Sequence, residues 1–216
     1  MKTNQETHQA KKNQAADPDP IEQITQPTQG QQLRATVKGV VLGLPGTGKT
    51  TMLKKLVITM ARQGRRTLIV TPHDMEWETV PPVSLHHPHR MFDYKGARRI
   101  IYTDDTFALI LEHYRSGLLI LDDCRHYLRD GLDRHTHQLL ISCRQIDIDL
   151  FAVGHGFREV PSKFFTFATH FLLFRTADNI TERKRVILNF DRMVQAQQRI
   201  NTIAAENPYY YEIIEA

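Results

Sequence analysis

Residues 43–50 read Gly43, Leu44, Pro45, Gly46, Thr47, Gly48, Lys49 and Thr50, and no other stretch of the chain constrains its fold as far. They fit the Walker A pattern, three glycines around a Lys-Thr pair. The pattern has meaning only between a strand and a helix, and both flanks supply that setting. Val37, Val40, Val41 and Leu42 form a short β-rich apolar run, as a buried parallel strand would. Leu53, Leu56, Val57 and Met60 follow at helical spacing on one face, with Gly64 placed to stop the helix. Glycines in such a loop let backbone amides turn inward around phosphate oxygens, and the start of the helix adds its partial positive charge. Residues 43–51, with Thr51 just inside the helix, are therefore the expected nucleotide-binding segment. Lys49 would reach the terminal phosphates of ATP and the Thr50 hydroxyl would ligate Mg²⁺.

The remaining pattern alternates strands and helices. Strands are expected at 67–70, 99–102, 118–121, 150–153 and 171–174, with an edge strand over 209–214. Helices are expected over 105–115, capped by Thr103 or Asp104 and closed by Gly117, over 131–144, shortly after Pro161, and over 191–205. Between 71 and 90, Pro72, Pro81, Pro82 and Pro88 interrupt any apolar period, which predicts a long irregular connection of the kind that is often functional. The fold class that follows is α/β, a P-loop NTPase with a mostly parallel central sheet flanked by helices and ligands at the carboxyl ends of its strands.

The run Leu118, Leu119, Ile120, Leu121 ends in Asp122 and Asp123, as a Walker B strand does. The first acid would help hold Mg²⁺ and the second could orient the attacking water. Two acids there could also merely cap the next helix. Asp104 and Asp105 are a rival pair behind a shorter apolar run. The strand at 150–153 ends in Gly154 and His155, and a polar residue at that tip could sense the γ-phosphate; a plain turn over 154–156 is the other reading. For an arginine acting on a neighbouring subunit's nucleotide, Arg144 is the first choice, with Arg134 and Arg175 as alternatives.

Composition bounds the rest. A chain of 216 residues with 41% hydrophobic and 24% charged residues can build one soluble domain with a full core. Residues 1–33 are a polar tail rich in Gln, Asn, Lys, Asp and Pro, in which residues 2–32 hold no large apolar side chain but Ile21 and Ile24, so it is expected to stay flexible; 34–216 would be the ATPase domain. A net charge of +4 favours polyanionic partners such as DNA or RNA. No apolar run reaches the roughly 18 residues a membrane helix needs, and the N-terminus has no apolar signal segment, so the chain is expected not to be transmembrane and to be cytoplasmic. Two cysteines, Cys124 and Cys143, read as core residues rather than a disulfide framework. Among eleven histidines, His86, His87 and His89 surround Pro88 in an expected loop, without the partner ligands a zinc site requires.

Taken together, residues 43–50, residues 118–123, and Arg144 through Leu150 to His155 resemble the FtsK/HerA superfamily, most closely the small genome-packaging ATPases of tailless, membrane-containing viruses. The resemblance spans about residues 35 to 176. It implies an ATP-driven homo-oligomeric ring, expected to be a hexamer, that moves double-stranded DNA into a preformed capsid. Capsid-vertex or membrane-associated viral proteins would be partners, and the host cytoplasm or virion the location. Lys49, Asp123, Arg144 and His155 would carry catalysis. Two positions depart from the family, which usually has Asp then Glu after the Walker B strand and Gln at the sensor tip, where this chain has Asp123 and His155. The alternatives are a filamentous-phage assembly ATPase related to zonula occludens toxin, which normally carries an anchor, a small-molecule kinase with residues 181–185 as a basic lid, and a non-hydrolysing nucleotide switch. The GTPase version of that switch would need an Asn-Lys-x-Asp motif, which the sequence lacks.

Overall fold

The computed structural model describes residues 35–84, 90–128 and 134–216. The polar tail, the His86, His87 and His89 cluster, and the start of the helix expected from 131 lie outside the described residues.

Seven strands form one sheet: β1 (Lys38–Leu42), β2 (Arg66–Thr71), β3 (Ala97–Ile101), β4 (Gly117–Leu121), β5 (Ile148–Gly154), β6 (His170–Leu173) and β7 (Glu212–Glu215). Their order is β3-β2-β4-β5-β1-β6-β7. All neighbours pair in parallel except β7, which runs antiparallel to β6 along one edge. The helices are α1 (Lys49–Arg62), α2 (Thr106–His113), α3 (Arg134–Ser142), α4 (Ser162–Phe167) and α5 (Phe190–Ile203). Among the described residues no helix is long and apolar enough to cross a membrane.

The strands are apolar on both sides because both faces are covered, and alternation along each strand divides them between two cores. Val40, Leu42, Leu119, Leu121, Leu150 and Ala152 point to one face, where Phe107 and Ile110 of α2, Leu139 and Leu140 of α3, Phe164 and Phe165 of α4, and Ile200 of α5 pack. Val41, Ile69, Leu118, Ile120, Phe151 and Val153 point to the other, where Met52, Leu53, Leu56 and Met60 of α1 meet Trp77. Trp77 belongs to a 3₁₀ turn (Met75–Trp77) in the segment after β2. That segment also shields the β3 edge: Val83 N–H donates to Arg99 O at 2.9 Å and Arg99 N–H to Pro81 O at 3.0 Å.

Two local expectations are corrected. Neither Thr103 nor Asp104 caps α2. Asp105 occupies the cap without a side-chain bond, and the bond runs the other way, from Thr103 N–H to the Thr106 hydroxyl at 2.8 Å. Gly117 does not close that helix but opens β4, and Ser116 takes the positive φ of 51°. Glycine is needed at 117 for close approach, since a Cβ there would come 2.4 Å from the Tyr114 hydroxyl and 2.6 Å from Arg66 O.

Both cysteines are buried and free, as expected of core residues. Burial pushes the Cys143 thiol up to about 12, and its Sγ lies 3.1 Å from Leu139 O.

Candidate nucleotide-binding site

β1 lies where the chain changes direction across the sheet, with β5, β4, β2 and β3 on one side and β6 and β7 on the other. In open α/β sheets that position leaves a crevice beyond the carboxyl ends of the strands. The loop leaving β1 is stitched to both neighbours: Gly43 N–H donates to Gly154 O at 3.3 Å, and Leu44 N–H to Arg175 O at 2.8 Å. Gly48 caps α1 with φ 94° and ψ 9°, a left-handed conformation that strains any residue with a Cβ. The loop's end thus presents free backbone amides and the positive pole of a helix of 14 residues. A cavity of about 480 Å³ opens over it, lined by Gly46, Gly48, Lys49, Thr50 and Thr51, and by Glu76, Asp122, Asp123 and His155 from other elements.

Lys49 is buried and folded back over the loop. Its Nζ donates to Gly43 O at 2.5 Å and Leu44 O at 3.1 Å, and lies 3.2 Å from His155 Nδ1. With the ammonium as donor, Nδ1 is the acceptor, so the imidazole proton sits on Nε2 and faces Asp123 Oδ1 at 3.6 Å. Burial pulls the Lys49 ammonium below the ordinary lysine value, and Asp122, Glu76, Asp123 and Glu159 oppose that pull. The His155 backbone N–H donates to Glu159 Oε2 at 2.7 Å, so the turn after β5 is fixed by a carboxylate from its own loop.

The two acids after β4 have different surroundings. Asp122 is 6% exposed, with Oδ2 accepting from Trp77 Nε1 at 2.6 Å and Oδ1 from the Asp123 amide at 3.1 Å. Burial raises its pKa, and the Trp77 bond works against that rise. Asp123 stands in a left-handed conformation, φ 44°. Its carboxylate lies among three basic groups: Arg125 Nε at 3.2 Å, His126 Nε2 at 3.0 Å and His155 Nε2 at 3.6 Å. Asp123 occupies the N-cap of the 3₁₀ turn Cys124–His126, but its side chain makes no cap bond.

The sequence reading missed two contributors. Glu76, in the 3₁₀ turn, accepts from the Thr50 hydroxyl at 3.1 Å and brings a third carboxylate to the same corner. Arg125 ties Asp123 to Glu159, whose Oε1 accepts from it at 3.0 Å. No motif marks Glu76; the one available signal was the length of the connection that carries it.

Not every candidate converges. Arg144 is exposed in the turn before β5, whereas His155 follows that strand. The two ends of a seven-residue strand stand some ~20 Å apart, so Arg144 lies at the far end of the sheet from this cavity. Arg175 is exposed at the cavity end, just past β6, and Arg134 is exposed at the start of α3. Asp104 and Asp105 are exposed beyond the edge strand β3 and do not line the cavity. The segment proposed as a kinase-like lid is anchored: Arg183 donates to Phe157 O at 2.7 Å, Val160 O at 3.0 Å and Ser162 Oγ at 2.6 Å.

The donor set suits Mg²⁺. Thr50 and Asp122 offer hard oxygens beside a phosphate cradle, and among the described residues no cluster of three His, Cys, Asp or Glu forms a self-sufficient metal cage. Mg²⁺ is ordinarily held in this way, by one or two protein oxygens together with substrate phosphates.

No protein-family model matches the sequence. No curated protein matches it either. Solved structures do match. The genome-packaging NTPase B204 of Sulfolobus turreted icosahedral virus 2, in complex with AMP, superposes with a TM-score of 0.67 at 14% identity, over 83% of this chain and 92% of that one. B204 of Sulfolobus turreted icosahedral virus, a DNA-packaging ATPase, gives 0.57 at 16% identity over 82% and 91%. VirB4 of Thermoanaerobacter pseudethanolicus gives 0.51 at 10% identity over 77% and 86%. At these identities the likeness is one of fold: the chain has the α/β P-loop NTPase fold of these proteins.

Proposed function

We propose that this chain is an Mg²⁺-dependent ATPase that drives double-stranded DNA, packaging a viral genome into a preformed capsid. The observation that carries the reading is the meeting of Lys49, Thr50, Asp122, Asp123 and His155, drawn from three separate segments, around one phosphate cradle. The fold shared with B204 and the net charge of +4 support DNA as the cargo.

In this reading the amides of residues 46–51 hold the phosphates, and Lys49 leaves the Gly43 and Leu44 carbonyls to meet the terminal ones. Bound at Thr50 and Asp122, Mg²⁺ would neutralise charge on the β- and γ-phosphate oxygens. Asp123 accepts a hydrogen bond from the attacking water and sets it in line with the bond to be broken. His155 reports the γ-phosphate, because it touches both Lys49 and Asp123. Six copies close into a ring around the duplex, within the host cytoplasm or the virion, docked on capsid-vertex or membrane-associated viral proteins. An exposed arginine completes the neighbour's site; Arg144 serves if the far end of the sheet faces that neighbour, Arg175 if the cavity end does.

The test is phosphate release from Mg²⁺-ATP with and without duplex DNA, run beside sizing in ATP. Turnover raised by DNA and abolished by Lys49→Ala, in a species larger than a monomer, is expected. A monomer indifferent to DNA that phosphorylates a metabolite would refute the motor.

A further inference from the structure

The cradle and the carboxylates account for one end of the cavity. The other end is closed by an aromatic ring. Tyr209 is 65% exposed yet lines the cavity beside Gly48 and Thr51. A Cβ built on Gly48 would come 3.3 Å from Tyr209 Cδ1, so the ring stands directly against the cap of α1. Its backbone is held in place: Tyr209 N–H donates to Asn207 Oδ1 at 3.2 Å and Tyr210 N–H to Asn207 O at 3.0 Å. Two residues on, Tyr211 stacks on Phe174, with ring centroids 4.8 Å apart and planes 24° from parallel. Phe174 is buried at the end of β6, so the segment carrying Tyr209 is riveted to the sheet next to the loop.

The orientation of a nucleotide follows from the opposite wall. Asp122, Asp123 and His155 leave β4 and β5 on one side of β1 and meet Lys49 where the terminal phosphate must lie for hydrolysis, whereas Tyr209, which precedes β7, lies on the other side of β1 against Gly48. The nucleoside end of the ligand is thereby directed toward the ring. We propose that Tyr209 is the platform on which the nucleobase stacks, an inference that rests on the nucleotide reading above and adds how the base is chosen. A π-face accepts any purine, and stacking of this kind does not read base edges. The site therefore takes purine nucleoside triphosphates as a class and separates adenine from guanine only weakly.

The experiment is calorimetric binding to the full chain of three probes with Mg²⁺: β,γ-methylene ATP, its guanine counterpart, and inorganic tripolyphosphate. Tyr209→Ala is expected to weaken both nucleotides about 5- to 150-fold, with tripolyphosphate unchanged; Tyr209→Phe and Tyr209→Trp retain wild-type affinity. Unchanged nucleotide affinity in Tyr209→Ala would overturn the proposal, as would an equal loss for tripolyphosphate, or loss caused by Met75→Ala on the opposite rim instead. The underlying reading fails separately: in that case Lys49→Ala would leave binding of all three probes untouched, whatever stands at 209.

Discussion

Trp77 is the only tryptophan in the chain, is fully buried, and its indole N–H donates to Asp122, the carboxylate proposed to hold Mg²⁺. Replacing it with Phe keeps most of the apolar contact with α1 and removes the indole N–H. A hydrogen bond to a charged group contributes about 1.5–3 kcal/mol. Its loss favours protonated Asp122, because the indole bond, ahead of the Asp123 amide, opposes the effect of burial on that acid. Mg²⁺ must then displace a proton that the wild type holds less firmly. If the whole bond energy appears in metal binding, the Mg²⁺ concentration for half-maximal ATPase rises about 10- to 150-fold. The acidic side is affected most, since the extra proton is retained there. The assay is an Mg²⁺ titration of phosphate release at fixed ATP, repeated at pH 6 and pH 8, with circular dichroism to confirm the fold. A half-saturation that matches wild type at both pH values would refute the coupling of Trp77 to the metal site.

Other outcomes follow from the same geometry. Glu76→Ala removes the acceptor of the Thr50 hydroxyl and, as an outer-shell change at a metal site, should lower Mg²⁺ affinity or turnover by about 10–100-fold while leaving thermal stability unchanged. Lys49 is held below 10.5 by burial, and a phosphate anion favours its charged form. Nucleotide binding just below pH 10.5 should therefore take up a proton, visible as buffer-dependent enthalpy in calorimetry and absent in Lys49→Met. At the opposite end of the sheet, Asp149 is buried, with Arg65 NH1 2.6 Å from its Oδ2. Arg65→Met should cost about 3–5 kcal/mol in urea denaturation by taking the guanidinium from Oδ2 of that carboxylate, whose Oδ1 keeps the Val37 amide, and leave nucleotide affinity intact.

Much of this architecture was legible because it is written in local pattern. The strand–loop–helix unit around residues 43–51 carries its apolar periods and glycines in one stretch, and the solid run 118–121 could only be a strand buried on both faces. What escaped depends on long-range approach. Gly117 looked like a helix stop because glycine usually ends helices, but the constraint comes from Tyr114 and Arg66, which no periodicity reveals. Glu76 sits in an irregular segment and reaches Thr50 only because Trp77 is driven into the core beneath α1. Arg144, read as acting on a neighbouring subunit's nucleotide, precedes β5 while His155 follows it, so the two lie at opposite ends of the sheet. Asp123 also gains a physical setting, surrounded by Arg125, His126 and His155, which no local pattern announces.

Movement along DNA driven by ATP turnover at this cavity is read out by displacement of a third strand from a triplex by the purified chain. Displacement is expected with Mg²⁺-ATP, none with β,γ-methylene ATP, and none for Lys49→Ala. ATP hydrolysis without displacement, on duplexes long enough to thread a ring, would contradict it.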